Sequence, residues 1–149
     1  MAFMFSDSFD ELESMRLSLK VLTKEQGNEK EIPYYWYEIR RKPDMIPIGK
    51  VSIRIGQNYH SYYNGNIGYE IDEAYRGHHY AREAAELVLD VARYHGIEKI
   101  YITCEEDNAA SYRTIESLGA RLAEIAEIPE DYFGWYEGIP KHRIYELKI

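Results

Sequence analysis

Ile67-Gly68-Tyr69-Glu70-Ile71-Asp72-Glu73-Ala74-Tyr75-Arg76-Gly77-His78-His79-Tyr80-Ala81 runs from a strand pattern, through a turn with Arg76 and Gly77, into the start of a helix. Beyond it Ala81, Ala84, Ala85, Val88, Val91, Ala92 and His95 recur at three- and four-residue steps. That makes one apolar helical face about four turns long, and Gly96 stops it at a C′ position. A strand that turns tightly into a helix can build an anion site. The first amides of a helix have no internal partners and point outward, and the macrodipole adds partial positive charge there. A tight turn gathers several N–H groups around one phosphate. Arg76 can add a charge-assisted contact, and Gly77 lets the backbone come close. Similar turns also occur where nothing binds, so this segment alone leaves both readings open.

Outward from this segment the pattern stays regular. Toward the C-terminus, Ile97 to Cys104 reads as a strand. Asp107 or Asn108 then caps a second helix, in which Tyr112, Ile115 and Leu118 share a face and which Gly119 ends. A strand from Leu122 to Ile128, a loop bounded by Pro129 and Pro140, and a strand from Arg143 to Ile149 complete the chain. Toward the N-terminus, strands are expected at Leu17 to Leu22, Tyr34 to Ile39 and Ile46 to Ile55, with a bulge near Gly49. Gly56 to Asn66 reads as a polar, tyrosine-bearing loop. Four strands, helix, strand, helix, strand, strand is an α+β (mixed α/β) order with helices packed on a sheet. The step from residue 67 to 104 predicts a right-handed crossover with parallel pairing nearby.

Composition bounds the remaining possibilities. A chain of 149 residues that is 45% hydrophobic and 30% charged fits one domain, 1–149, with one core. No signal-peptide pattern opens it, and no apolar run is long enough to span a membrane. Cys104 is the only cysteine, which excludes an internal disulfide or a multi-thiolate metal site and fits a cytoplasmic protein. His78 and His79 lack a carboxylate or thiol at ligand spacing on the same element, so no metal is expected. A net charge of −8 without a basic stripe argues against nucleic acid and anionic membranes as partners, and leans toward a cationic one. Fifteen tyrosines read first as strand-face residues with packed rings and wet hydroxyls, and second as an aromatic pocket.

The second motif is Cys104-Glu105-Glu106-Asp107-Asn108-Ala109-Ala110-Ser111-Tyr112-Arg113-Thr114-Ile115-Glu116-Ser117-Leu118-Gly119. With it, the chain resembles the GNAT superfamily of acetyl-CoA-dependent N-acetyltransferases. The likeness rests on two ordered pieces: strand, Arg-Gly-x-x-x-Ala loop and long helix, then strand, Asn-x-x-Ser and a helix ending in Leu-Gly. The pieces cover about residues 67 to 120. Ser111, Arg113 and Glu116 look like the branch that includes ribosomal-protein N-acetyltransferases.

The resemblance implies a GNAT-like single domain whose largely antiparallel mixed sheet has about seven strands, with the helices between strands 1 and 2 reduced. It implies acetyl-CoA as acyl-donor co-substrate, a primary amine of a small molecule or peptide as acceptor, and a homodimer. Its pyrophosphate loop carries over to Arg76, Gly77, His78, His79, Tyr80 and Ala81. The family's central glycine is His79 here, which can donate its amide if its φ is negative but takes a glycine-type conformation only at a cost. The pantetheine arm would run along Tyr69, Glu70 and Ile71, with Asn108 and Ser111 near the thioester.

Acyl transfer to an amine also needs a base, a donor to the thioester carbonyl, and a proton for the thiolate. By the resemblance, the carbonyl donor is a backbone amide near Ile71. Glu70 is the candidate base, because strand alternation turns it away from Ile71; Glu105 and Glu106 are a second choice. The tyrosine that commonly serves as thiolate acid is replaced by Ile115, leaving Ser111, Tyr112 or bulk water. The alternative reading is a module that binds acyl-CoA without catalysis. With few helices between the first strands, an open acceptor site is expected, and the aromatic Pro129 to Pro140 loop reads either as one of its walls or as a dimer contact.

Overall fold

The computed structural model describes residues 2–149. Eight strands, β1 (Glu11–Glu13), β2 (Leu17–Glu25), β3 (Tyr34–Arg41), β4 (Ile46–Arg54), β5 (Ile67–Ile71), β6 (Lys99–Glu105), β7 (Arg121–Ala126) and β8 (His142–Lys148), alternate late in the chain with helices. The helices are α1 (Tyr59–Asn64), α2 (Tyr80–Tyr94) and α3 (Ala109–Ser117). No helix separates β2 from β3, as expected. The largely antiparallel sheet is realised as two antiparallel sheets, one ordered β1-β2-β3-β4-β5 and one ordered β6-β8-β7. The bulge near Gly49 is present: Ile39 faces Gly49 and Arg40 faces Pro47, which leaves Ile48 as the extra residue.

Strand parity sorts the large sheet into two faces. Leu17, Leu19, Tyr35, Tyr37, Ile39, Val51, Ile53, Ile67 and Ile71 turn inward and are buried. They pack against Ala84, Ala85, Val88, Leu89, Val91 and Ala92 of α2, whose three alanines let the helix lie close to the sheet. Among the described residues no helix covers the opposite face, which carries Tyr34, Trp36, Glu38, Lys50, Ser52, Arg54, Gly68 and Glu70.

Three expectations are corrected here. The segment 56–66 is not all loop: Asn58 caps the short helix α1, accepting from the Ser61 amide at 2.7 Å while the Ser61 hydroxyl accepts from the Asn58 amide at 2.9 Å. Tyr35 and Tyr37 do not keep wet hydroxyls. Both are fully buried, and the Tyr37 hydroxyl donates to the Phe9 carbonyl at 2.6 Å. Finally, no parallel ladder joins β5 to β6. The two are stitched only at their beginnings, where the Asn66 amide donates to the Tyr101 carbonyl at 2.6 Å and the Tyr101 amide to Asn66 Oδ1 at 2.9 Å. At Gly65, φ is +78° and a Cβ would stand 3.1–3.3 Å from the β6 backbone, so only glycine lets the chains touch there. Beyond this stitch the strands part.

One half-buried polar contact makes stability depend on pH. The Tyr35 hydroxyl accepts from the Ser6 amide at 2.8 Å and lies 2.7 Å from His95 Nε2, with the Phe3 ring on the imidazole. Burial holds the His95 pKa below its ordinary value of 6.5, so the unfolded chain takes up the proton first as pH falls. This contribution is therefore intact above about pH 6.5 and is lost as pH falls through the folded-state value. The melting temperature is expected to fall between pH 7.5 and 5.5, and less steeply in His95→Gln. Equal slopes in calorimetric scans of the two proteins would contradict this.

Candidate acetyl-CoA and acceptor site

The end of β5 and the start of α2 form a continuous bay of unpaired backbone. Tyr75 and Arg76 close a short turn on Asp72 and Glu73, at 2.9 and 3.3 Å. From Gly77 to Arg82 no amide has a partner among the described residues, and the first helical bond is from the Glu83 amide to the His79 carbonyl at 3.2 Å. The helix start is not plugged. Gly77, His78 and His79 are exposed, and Gly77, at φ +88°, has nothing within 4 Å of where a Cβ would stand. His79 takes the costly case: its φ is +64°, and its side chain caps nothing. The histidine thus takes the left-handed conformation for which a glycine is better suited, and its amide stays free.

Neighbouring groups brace this turn. Arg16, in the β1–β2 connection, pairs with Glu83 at 2.7 Å, donates to the His78 carbonyl at 3.0 Å and lies over the Tyr80 ring. Glu83 also accepts from the Ser14 hydroxyl. Arg76 was expected at the phosphate, but its Nε donates to the Ile71 carbonyl at 2.8 Å, holding the end of β5.

The free edge of β5 follows from strand alternation. The Asp72 amide donates to Ile48 in β4 at 2.8 Å, so the amides of Tyr69 and Ile71 point the other way, into the gap before β6. Across that gap reaches Tyr69. Its hydroxyl lies 2.9 Å from Ser111 Oγ and 3.2 Å from the Ser111 carbonyl, while Asn108 caps α3 by accepting from the Ser111 amide at 3.2 Å. Burial raises the pKa of the Tyr69 phenol and of the adjacent Cys104 thiol, so both stay protonated near neutrality. Ile115 is fully buried, Tyr112 lies under the Arg143 guanidinium, and Ser111 and Tyr69 place hydroxyls at the gap.

On the open face a cleft of about 320 Å³ is lined by Glu31, Tyr34, Trp36, Lys50, Ser52, Arg54, Gly68, Tyr69 and Glu70. A smaller hollow, lined in part by Glu38 and Asp72, shares Lys50 and Glu70 with it. Glu70 is exposed and sits opposite Lys50, while Glu105 and Glu106, at the far end of β6, line neither hollow. The geometry thus groups Tyr69, Glu70, Ile71, Gly77, His78, His79, Tyr80, Ala81, Asn108 and Ser111 around the gap and its two mouths. Glu105 borders this group through its carbonyl, which accepts from the Asn108 amide at 3.1 Å.

A family model described as "Acetyltransferase (GNAT) domain" matches residues 6–121. The chain belongs to the GNAT acetyltransferase family. Similar solved structures share its fold. A proposed ribosomal-protein-serine acetyltransferase from Vibrio cholerae superposes with a TM-score of 0.67 at 17% identity, over 93% of this chain and 97% of that one. The ribosomal-protein-S5-alanine acetyltransferase from Vibrio fischeri gives 0.60 at 19% identity, over 77% and 61%. A proposed acetyltransferase from Salmonella typhimurium, solved with its cofactor acetyl-CoA, gives 0.57 at 21% identity, over 77% and 64%. The chain therefore spans less than two thirds of the last two structures' own lengths. No curated protein matches the chain. Within this GNAT fold sequence reading missed Arg54 and Asn66. Asn66 is fully buried between β4, β5 and β6, and neither residue belongs to a local motif.

Proposed function

We propose that this protein transfers the acetyl group of acetyl-CoA to a primary amine. The observation that carries this reading is the run of unpartnered amides from Gly77 to Arg82, which opens beside the free edge of β5. Those amides and the start of α2 fit a diphosphate. The amides of Tyr69 and Ile71 fit a pantetheine arm and the thioester carbonyl. Acetyl-CoA supplies the activated acetyl group. The acceptor nitrogen bonds to the acetyl carbon as the carbon–sulfur bond breaks, and one proton passes overall from nitrogen to sulfur. Glu70 takes the proton from the amine side, and the Ser111 and Tyr69 hydroxyls return one on the thiol side.

In the smaller hollow Glu38, Glu70 and Asp72 outweigh Lys50, which favours the positive charge of an incoming amine there. A CoA-release assay over polyamines, amino sugars, amino acids and peptides tests the reading. Turnover with at least one class is expected. Tight acetyl-CoA binding without turnover would make the protein a binding module instead, and no binding at all would end the reading. Within an active assay, Glu70→Gln is expected to lower kcat about 100-fold or more, with acetyl-CoA affinity retained. An unchanged kcat would remove Glu70 from the chemistry.

A further inference from the structure

The acceptor cleft contains a cation that the fold does not neutralise. Arg54, at the end of β4, is partly buried on the cleft wall, where burial is the main influence lowering its pKa. Its Nη1 donates to the Gly65 carbonyl at 3.2 Å. Glu31, Tyr34 and the Tyr132 phenol lie near enough to act on its charge, yet no carboxylate forms an ion pair with it among the described residues. A guanidinium has five N–H donors, and only one is engaged here. A sheltered charge without a partner is costly, so a cation kept in this state at a cleft wall marks a place for a ligand anion.

Position makes the anion specific. Nη1 stands 3.8 Å, and Ser52 Oγ 3.2 Å, from where a Cβ of residue 68 would be, so Gly68 leaves room at the strand beneath the guanidinium. Glu70, the base assigned above, is the next residue on the same face of β5, about 7 Å further along. We infer that the acceptor is a small zwitterion of the amino-acid type, with its carboxylate on Arg54 and Ser52 and its amine directed toward Glu70. This rests on the acetyltransferase reading and names the acceptor class for it. A planar carboxylate matches the guanidinium fork, whereas polyamines offer no anion.

The test sets each of the twenty L-amino acids beside its carboxamide in the CoA-release assay. At least one acid is expected to exceed its amide about tenfold or more in kcat/KM, the scale of a charged hydrogen bond. In Arg54→Gln that ratio should collapse toward one through KM of the acid, and Arg54→Lys should restore part of it. If Arg54→Gln does not fold, as judged by circular dichroism, the acid-to-amide ratio of the wild-type protein still decides. Amides used as well as acids, or no amino acid acetylated by a protein that binds acetyl-CoA, would overturn the acceptor class alone. Absence of acetyl-CoA binding by calorimetry would overturn the acetyltransferase reading itself, and this inference with it.

Discussion

Replacing His79 by proline is expected to weaken acetyl-CoA binding about 100-fold or more, while replacing it by glycine leaves binding within about threefold of wild type. Proline fixes φ near −65°, whereas residue 79 stands at +64° in the turn that orients the amides from Gly77 to Arg82. It also deletes one of those amides. Lost turn geometry and a lost charge-assisted hydrogen bond together reach about 3 kcal/mol. Glycine keeps every amide and releases the left-handed strain of a residue with a Cβ, roughly 1 kcal/mol. His79→Gly should therefore melt no lower than wild type. Calorimetric titration of the three proteins with acetyl-CoA separates these outcomes. Equal affinity in His79→Pro would mean that this turn does not hold the ligand.

Asn66→Ala is expected to cost about 3 kcal/mol or more of stability. The side chain is fully buried and fully engaged. Nδ2 donates to the carbonyls of Arg54 at 3.0 Å and Gly56 at 2.9 Å, and Oδ1 accepts from the Tyr101 amide at 2.9 Å and from Gln57 Nε2 at 3.1 Å. Truncation strands several backbone groups at the one place where the two sheets are stitched, and leaves a void. Asn66→Asp turns the Nδ2 donor into a carboxylate oxygen facing the Arg54 and Gly56 carbonyls in a fully buried site, and should cost at least as much as alanine. Urea unfolding measures the series. A loss below about 1 kcal/mol in Asn66→Ala, the net worth of one ordinary hydrogen bond, would mean that the stitch does not set the gap between β5 and β6.

The parts of this fold legible in the sequence are those written in local periodicity. Ala84, Ala85, Val88, Val91 and Ala92 announce α2 and its buried face because each lies one helical step from the next. Gly96 and Gly119 mark helix ends at φ +79° and +91°. The same logic explains two misses. α1 has six residues, too few for an apolar period, although Asn58 and Ser61 repeat the Asn-x-x-Ser spacing with which Asn108 caps α3. β1 has three residues and pairs through the register Leu12 to Leu19, which nothing in its own pattern encodes.

The site divides along a similar line. The turn from Arg76 to Ala81 and the Asn108 cap are contiguous, so sequence could place them. Tyr69 meeting Ser111, Arg54 lying over Gly68 and Asn66 reaching Tyr101 join residues far apart in the chain, and only the assembled sheets bring them together. His79 shows a further limit. Its amide was expected in the cradle, but its φ is set by the turn as a whole rather than by its own preference.

A ¹H–¹⁵N correlation titration of the full chain with acetyl-CoA observes the amides directly. The largest shifts are expected at Gly77 through Arg82 and at Tyr69 and Ile71, saturating together as a single binding event. Saturable shifts confined to other surfaces, with the amides at the start of α2 unmoved, would contradict the assignment of this turn as the diphosphate site.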